Sequence, residues 1–223
     1  MNMSNLFGEL KFLKFRQLFL KGVIHLYSID NLTVNEYLEK LAEPNFPGPA
    51  SGSAAATIAA MAAALLEMSC EVTVKKDEQQ SNLIETIKDM KEMRKHCLFL
   101  ATEDMRAYAE VVRAMKAKKE SPEKYEEAMK NATDTLVAIV KDSHSILTQI
   151  EKVIKTCFIK IWGDLAGSTY MAEAAAAAAK QGVEINLRLL HDERYKEEVQ
   201  NLVLESYRNC AETKDRIIAT RTF

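Results

Sequence analysis

The chain has 223 residues, enough for one domain or a compact pair with a substantial buried core. A formal net charge of -2 gives no basis for nucleic-acid binding, and no apolar run reads as long enough to span a bilayer. Glycine and proline are scarce while alanine, leucine, lysine, glutamate and methionine dominate, so the chain is expected to be all-α.

Residues 1–30 stand apart as an N-terminal extension of unknown role. Between Lys11 and Ile29 they carry basic residues, no acidic ones, and the large apolar groups Phe12, Leu13, Phe15, Leu18, Phe19 and Leu20. Lys14, Arg16 and Lys21 interrupt the apolar core that a cleavable signal peptide would need. A second region, 31–223, reads as one helical domain. It opens at Leu32-Thr33, where Thr33 followed by Glu36 forms a capping box ahead of a short amphipathic helix.

Pro44, Pro47 and Pro49 end that helix and lead into Gly52-Ser53 and an alanine helix that runs to about Val74. Ser53 is expected as the N-cap, with Gly52 providing backbone freedom and close access to the main chain. A glycine-bearing turn entering a helix presents free N–H donors and a partial positive charge to a polar ligand, and it also suits an ordinary capped helix. After the polar break KKDEQQSN a long helix spans about Leu83 to Lys118. Ser121-Pro122-Glu123 restarts the chain with serine as N-cap and proline in the first turn, for a helix to about Thr156. A break at Ile161 to Gly163 precedes a second alanine-rich helix, Leu165 to about Leu190, and a last helix begins near Asp192. Long helices with short connections read as a bundle, with the two alanine-rich helices at its centre because small side chains allow close approach.

Asp104 sits mid-helix on the face continued by Leu100, Tyr108 and Val111, where an inward carboxylate is costly unless paired or used. The plainer account pairs it with Arg106 or Arg113 at the edge of the stripe. Asp164 follows Gly163 at the start of the second alanine helix, where an N-cap role is sufficient to explain it. Asn186 near the end of that helix reads either as a buried hydrogen-bonder or as a terminal polar residue. The four histidines and the four cysteines (Cys70, Cys97, Cys157 and Cys210) lack ligand spacing, so no metal site is expected and the thiols read as small buried groups of a reducing compartment.

Taken in order, these elements resemble the cyclodeaminase/cyclohydrolase family, which comprises the C-terminal domain of formiminotransferase-cyclodeaminase and the free-standing methenyltetrahydrofolate cyclohydrolases. The resemblance starts at about Leu32 and covers the rest of the chain. The opening LT-x-x-x-[FY]-L is similar to Leu32-Thr33 through Tyr37-Leu38, and PGGGS before an alanine helix resembles Pro49 to Ser53. D-x-x-A-[FY] resembles Asp104 through Tyr108, SD before an alanine-rich helix resembles Gly163-Asp164, and INLR matches Ile185 to Arg188. The departures are Ala50 and Ser51 for two loop glycines, Thr73-Val74-Lys75-Lys76 without the glycine of T-x-G-[KR], Cys157-Phe158 for a Gly-Asn pair, and Gly182 for an asparagine.

The resemblance implies an enzyme of folate one-carbon chemistry. It would hydrolyse 5,10-methenyltetrahydrofolate to the 10-formyl form, or cyclise 5-formiminotetrahydrofolate with loss of ammonia. Both routes pass through cationic amidinium-like species that a carboxylate stabilises while moving protons. Asp104 and Asp164 would be catalytic, and Gly52, Ser53, Lys75, Lys76, Tyr108 and Asn186 would bind substrate. No cofactor beyond the tetrahydrofolate substrate is implied. The expected partners are a folate-derived small molecule and a second copy in a cytoplasmic homodimer, without nucleic acid or membrane. The alternative is a catalytically lapsed helical relative serving as a ligand-binding or assembly module.

Overall fold

The structure, a computed structural model, describes residues 28–44, 48–80 and 82–220. The extension assigned to residues 1–30 thus lies, up to residue 27, outside the described residues. Six α-helices follow one another: α1 (Val34–Ala42), α2 (Ser51–Lys76), α3 (Leu83–Lys116), α4 (Pro122–Val153), α5 (Trp162–Leu187) and α6 (Glu193–Ala219). Short 3-10 turns occupy Ile29–Asn31, Glu78–Gln80 and Ile159–Ile161. Among the described residues there is no strand, so the expected all-α bundle is the fold observed.

Local chemistry sets several helix starts. At α1 the Glu36 N–H donates to Thr33 Oγ1 at 3.2 Å and the Thr33 N–H donates back to the Glu36 carboxylate at 2.7 Å, which completes the capping box. At α6 the Tyr195 N–H donates to the Asp192 carboxylate at 3.1 Å. Pro122 opens α4 as expected, but the Ser121 hydroxyl makes no cap bond. The break foreseen at Ile161 to Gly163 comes slightly earlier, as the 3-10 turn that leads straight into Trp162.

The alanine-rich helices α2 and α5 run against each other through the middle of the bundle. Ala55, Ala56, Ala59, Ala62 and Ala63 of α2 and Ala172, Ala175, Ala176 and Ala179 of α5 are fully buried. Their backbones come so close that Ser168 Oγ donates to the Ala62 carbonyl at 2.7 Å, an approach that larger side chains would prevent. The amphipathic helices α3, α4 and α6 close around this pair and supply bulk through Leu83, Met90, Met105, Ile139, Ile146, Leu147, Ile150 and Ile217. By length and composition α2 is long and apolar enough to cross a membrane, contrary to the sequence expectation, yet 56% of its apolar window is buried inside the bundle.

Two sets of contacts give the helix directions. Gly52, at the start of α2, meets Asp104 of α3 and Leu136 of α4, and Leu136 also meets Gly182 near the end of α5. At the opposite end the Phe158 N–H donates to Thr73 Oγ1 at 3.0 Å, while the Cys70 and Cys157 thiols hydrogen-bond each other. Helices α2 and α4 therefore run together, with α3 and α5 opposed to them. Because α3 continues well past Asp104 and α4 begins well before Leu136, this hairpin overhangs the start of α2. The first turn of α2 sits at its foot.

Candidate active site

The first turn of α2 presents N–H groups that no earlier turn can satisfy. Here one of them has a partner from another helix: the Ser53 N–H donates to the Asp104 carboxylate. The helix begins at Ser51 with Ala50 as N-cap, so Ser53 is not the cap expected from the sequence. Its side chain is fully buried, with Oγ 3.1 Å from the Tyr37 hydroxyl. Thr57, one turn on, donates to the Ser53 carbonyl at 2.9 Å and also reaches the Tyr37 hydroxyl at 3.3 Å. Tyr37 is the buried side chain of α1 and ties that helix to the first turn of α2.

Gly52 also differs from expectation. It lies within the helix, and what it provides is missing volume. A Cβ placed there would overlap the Asp104 carboxylate, with Cγ only 2.6 Å away, and the Leu136 methyl Cδ2 at 2.7 Å. Asp104 is partly exposed, and burial on its inner side pushes its pKa up to about 6, against which the Ser53 N–H acts. The ion pairs suggested for it go elsewhere. Arg106 pairs with Glu103 and Arg113 with Glu110, each at 2.8 Å.

Tyr108 follows one turn after Asp104 on the same face and is 40% exposed. Asn186 lies one turn beyond Gly182 at the same end of the bundle and is half-buried. Gly52, Ser53, Asp104, Tyr108 and Asn186 thus belong to one end. Asp164, Lys75 and Lys76 do not. Lys75 and Lys76 close α2, about 35 Å along its axis from Gly52, and are exposed. Asp164 is an exposed residue in the first turn of α5 and not its N-cap, which is Ile161. Ser168, one turn on, lies against Ala62, so Asp164 sits roughly 20 Å from Gly52.

Sequence reasoning passed over Tyr37, Thr57 and Leu136 as site residues. Tyr37 carried a signal, as the one aromatic residue on a short amphipathic helix. Leu136 carried none, because its role depends on two glycines from distant parts of the chain. The departures from the family pattern at Ala50 and Ser51 leave the helix start intact. Ala50 has φ -143° and ψ -162°, extended backbone that any residue adopts.

The arrangement suits chemistry on a cation. A carboxylate held between an N–H donor and apolar surface can be ionised near neutral pH, interact with positive charge more strongly than in water, and still accept a proton.

The profile of the family described as formiminotransferase-cyclodeaminase matches residues 33–205. A methenyltetrahydrofolate cyclohydrolase of Methylorubrum extorquens is 28% identical over 178 residues, which is 75% of this chain and 85% of that protein. The crystal structure of a formiminotetrahydrofolate cyclodeaminase from Thermotoga maritima superposes with a TM-score of 0.79 at 24% identity. It covers 85% of this chain and 95% of its own, and this likeness establishes the shared fold.

Proposed function

This chain belongs to the formiminotransferase-cyclodeaminase family, and on that footing we propose that it is a folate one-carbon enzyme. It acts on 5,10-methenyltetrahydrofolate by hydrolysis to 10-formyltetrahydrofolate, or on 5-formiminotetrahydrofolate by cyclisation with release of ammonia. The observation that carries this reading is the Asp104 carboxylate, seated on the first turn of α2 with its pKa raised to about 6. The relatives' names supply the substrate class, and the carboxylate supplies a chemical reason for it.

In the hydrolytic direction, the carbon bridging N5 and N10 carries delocalised positive charge. The ionised Asp104 stabilises that charge and accepts a proton as water adds to the carbon. The tetrahedral adduct then collapses to the 10-formyl compound: Asp104 passes its proton to N5 as the bond from N5 to the bridging carbon breaks, takes the hydroxyl proton as the carbonyl forms, and releases that proton to solvent. Tyr108 and Asn186 flank the ligand, while Ser53 contributes its backbone N–H more than its buried hydroxyl. The reaction uses no cofactor beyond the tetrahydrofolate substrate, so chelators should leave turnover unchanged. The cytoplasm is the compartment that fits four unpaired thiols.

Homodimerisation would account for the residues stranded at the other end. Ala54, Ile58, Met61, Leu65, Met68 and Val72 form a partly exposed apolar stripe along α2, and Gly167 of α5 lies beside Leu65. Glu67 is the one charged residue in α2 between Ser51 and Met68. A second copy docked antiparallel on this stripe, with its twofold axis near Met61 to Leu65, would carry its own Lys75 toward the first copy's Gly52. Its Asp164 would approach from the same side. Each site would then take Asp104 from one subunit and the basic residues from the other.

The deciding experiment follows the absorbance decay of 5,10-methenyltetrahydrofolate with and without the purified chain. Acceleration over buffer that saturates with substrate is expected. A rate equal to buffer for both folate substrates would instead favour the lapsed relative.

A further inference from the structure

A leucine on α4 connects the two glycines at this end of the bundle. Leu136 is buried, and its side chain spans the gap between the first turn of α2 and the last turns of α5. Its Cδ2 is 2.7 Å from the position a Gly52 Cβ would take, and its Cδ1 is 2.8 Å from the corresponding position at Gly182. Glycine inside a helix is unfavourable, because it gives up backbone entropy and packs nothing. Leu136 leaves no room for a Cβ at Gly182 and shares that role with the Asp104 carboxylate at Gly52.

The same wedge bears on the carboxylate. Asp104 and Leu136 lie against the same point at Gly52, so a leucine methyl and the carboxyl group are neighbours. If Leu136 were smaller, the gap would admit water to the inner side of the carboxylate and free it to rotate away from the Ser53 N–H.

We propose that Leu136 is a positioning residue: seated between Gly52 and Gly182, it holds the Asp104 carboxylate against the first turn of α2 and keeps water from its inner side, so that the site selects a delocalised cation over a neutral ligand of the same shape. The selectivity follows from screening, since a carboxylate walled by methyl groups attracts positive charge more strongly than a hydrated one. This rests on the reading of Asp104 as the group that meets the substrate, whereas the effect on the carboxylate itself does not depend on any activity.

Other charged and titratable groups around the site are engaged with one another. On α3, Glu103 pairs with Arg106. On α4, Lys130 pairs with Asp192 at 2.5 Å, and Asp134 accepts from the Tyr195 hydroxyl at 2.8 Å. On α5, Lys180 pairs with Glu184 at 2.6 Å. Helix α2 carries no charge between Ser51 and Leu66, and α1 presents only the Tyr37 hydroxyl, which bonds to Ser53 and Thr57. Leu136 is therefore the neighbour whose replacement changes hydration without changing charge.

The test is an NMR titration of the Asp104 side-chain carboxyl in the full, ligand-free chain. In Leu136→Ala the midpoint should fall by about one pH unit from its raised value, because water reaches the carboxylate. In Leu136→Met, which refills the gap, it should stay in place. The kinetic counterpart is a roughly 10-fold rise in KM for methenyltetrahydrofolate in Leu136→Ala, with binding of neutral tetrahydrofolate unchanged. Gly182→Ala should disturb the site on its own, and Gly182→Ala combined with Leu136→Ala should restore helicity. If Leu136→Ala loses helicity, that double variant carries the titration. An unchanged midpoint in a folded Leu136→Ala or double variant overturns the proposal. Absence of turnover in the unmodified chain would instead sink the folate reading, and the titration would still decide the role of Leu136.

Discussion

The Asp104 carboxylate occupies the space that a side chain on Gly52 would take, although the two residues sit on different helices and far apart in sequence. Its Cγ lies 2.6 Å from the ideal Gly52 Cβ position, and the Ser53 N–H next in the chain donates to it. A glycine in a helical first turn is thus what lets an acid from another helix reach the free N–H groups and positive end of the dipole.

It follows that Gly52→Ala should injure the site directly. The added methyl group cannot coexist with the present Asp104 rotamer or with Leu136, so both must move. Overpacking of this kind costs about 1–3 kcal/mol, and turnover should drop at least about 10-fold once the carboxylate leaves its place. Chemical denaturation together with the methenyltetrahydrofolate assay measures both effects. A Gly52→Ala protein with unaltered stability and rate would mean that the space is not needed.

Much of this fold could be read from local pattern. The capping box of Thr33 and Glu36, Pro122 in the first turn of α4 and the Asp192 cap of α6 each work within a few residues, and the inward face of Asp104 follows from helical period alone. What local pattern could not show was tertiary. Ser53 looked like a cap because small residues follow it, but Tyr37 claims its hydroxyl and the helix starts two residues earlier. Asp164 matches its family motif as well as Asp104 does, and Lys76 keeps the basic position of a motif that has lost its glycine, yet helix direction places both at the other end of the subunit. The Gly52–Leu136–Gly182 interlock joins three helices and leaves no periodic trace.

The separation of Asp104 from Asp164 gives a test of assembly. If each site draws on both subunits, mixing Asp104→Asn with Asp164→Ala homodimers should regenerate sites in which both residues are native. Random exchange would restore about a quarter of wild-type activity, since half the dimers are mixed and each holds one intact site. Met61→Glu, placing charge on the exposed α2 stripe, should yield a monomer by light scattering and abolish the rescue. A mixture no more active than its parents would count against a shared site.

A second titrating contact lies away from the site. His96 Nδ1 is 2.8 Å from Asp142 Oδ2, joining α3 to α4, and this bond holds the His96 pKa above its usual value despite partial burial. A histidine raised in the folded state stabilises the fold fully below its unfolded pKa of about 6.5, and loses that contribution as pH rises through the folded value. The imidazole is half exposed, so the effect should be at most about 1 kcal/mol, or a few degrees. Thermal unfolding at pH 6 and pH 8.5 should show a larger decline in the native chain than in His96→Asn, which keeps only the smaller loss from Asp104. The same decline in both proteins would assign it to other groups.

The sharpest prediction concerns Asp104, where stability and catalysis should move in opposite directions. Burial raises its pKa to about 6. A carboxyl raised in this way favours the fold below its unfolded pKa, and that contribution is lost as pH climbs through 6, so at neutral pH the ionised group weighs against folding. Asp104→Asn removes the charge while keeping shape and hydrogen-bonding capacity, and should raise Tm at pH 7.5 by a few degrees. It also removes the base and the counter-charge for the bridging carbon, so turnover should fall by about 100-fold or more. In the native enzyme kcat/KM should decline below about pH 6 as the carboxylate takes a proton, and the variant's residual rate should lack that limb. A structural acid would give the reverse pattern, with stability lost and rate preserved. A near-native rate in a folded Asp104→Asn protein would therefore remove Asp104 from the chemistry.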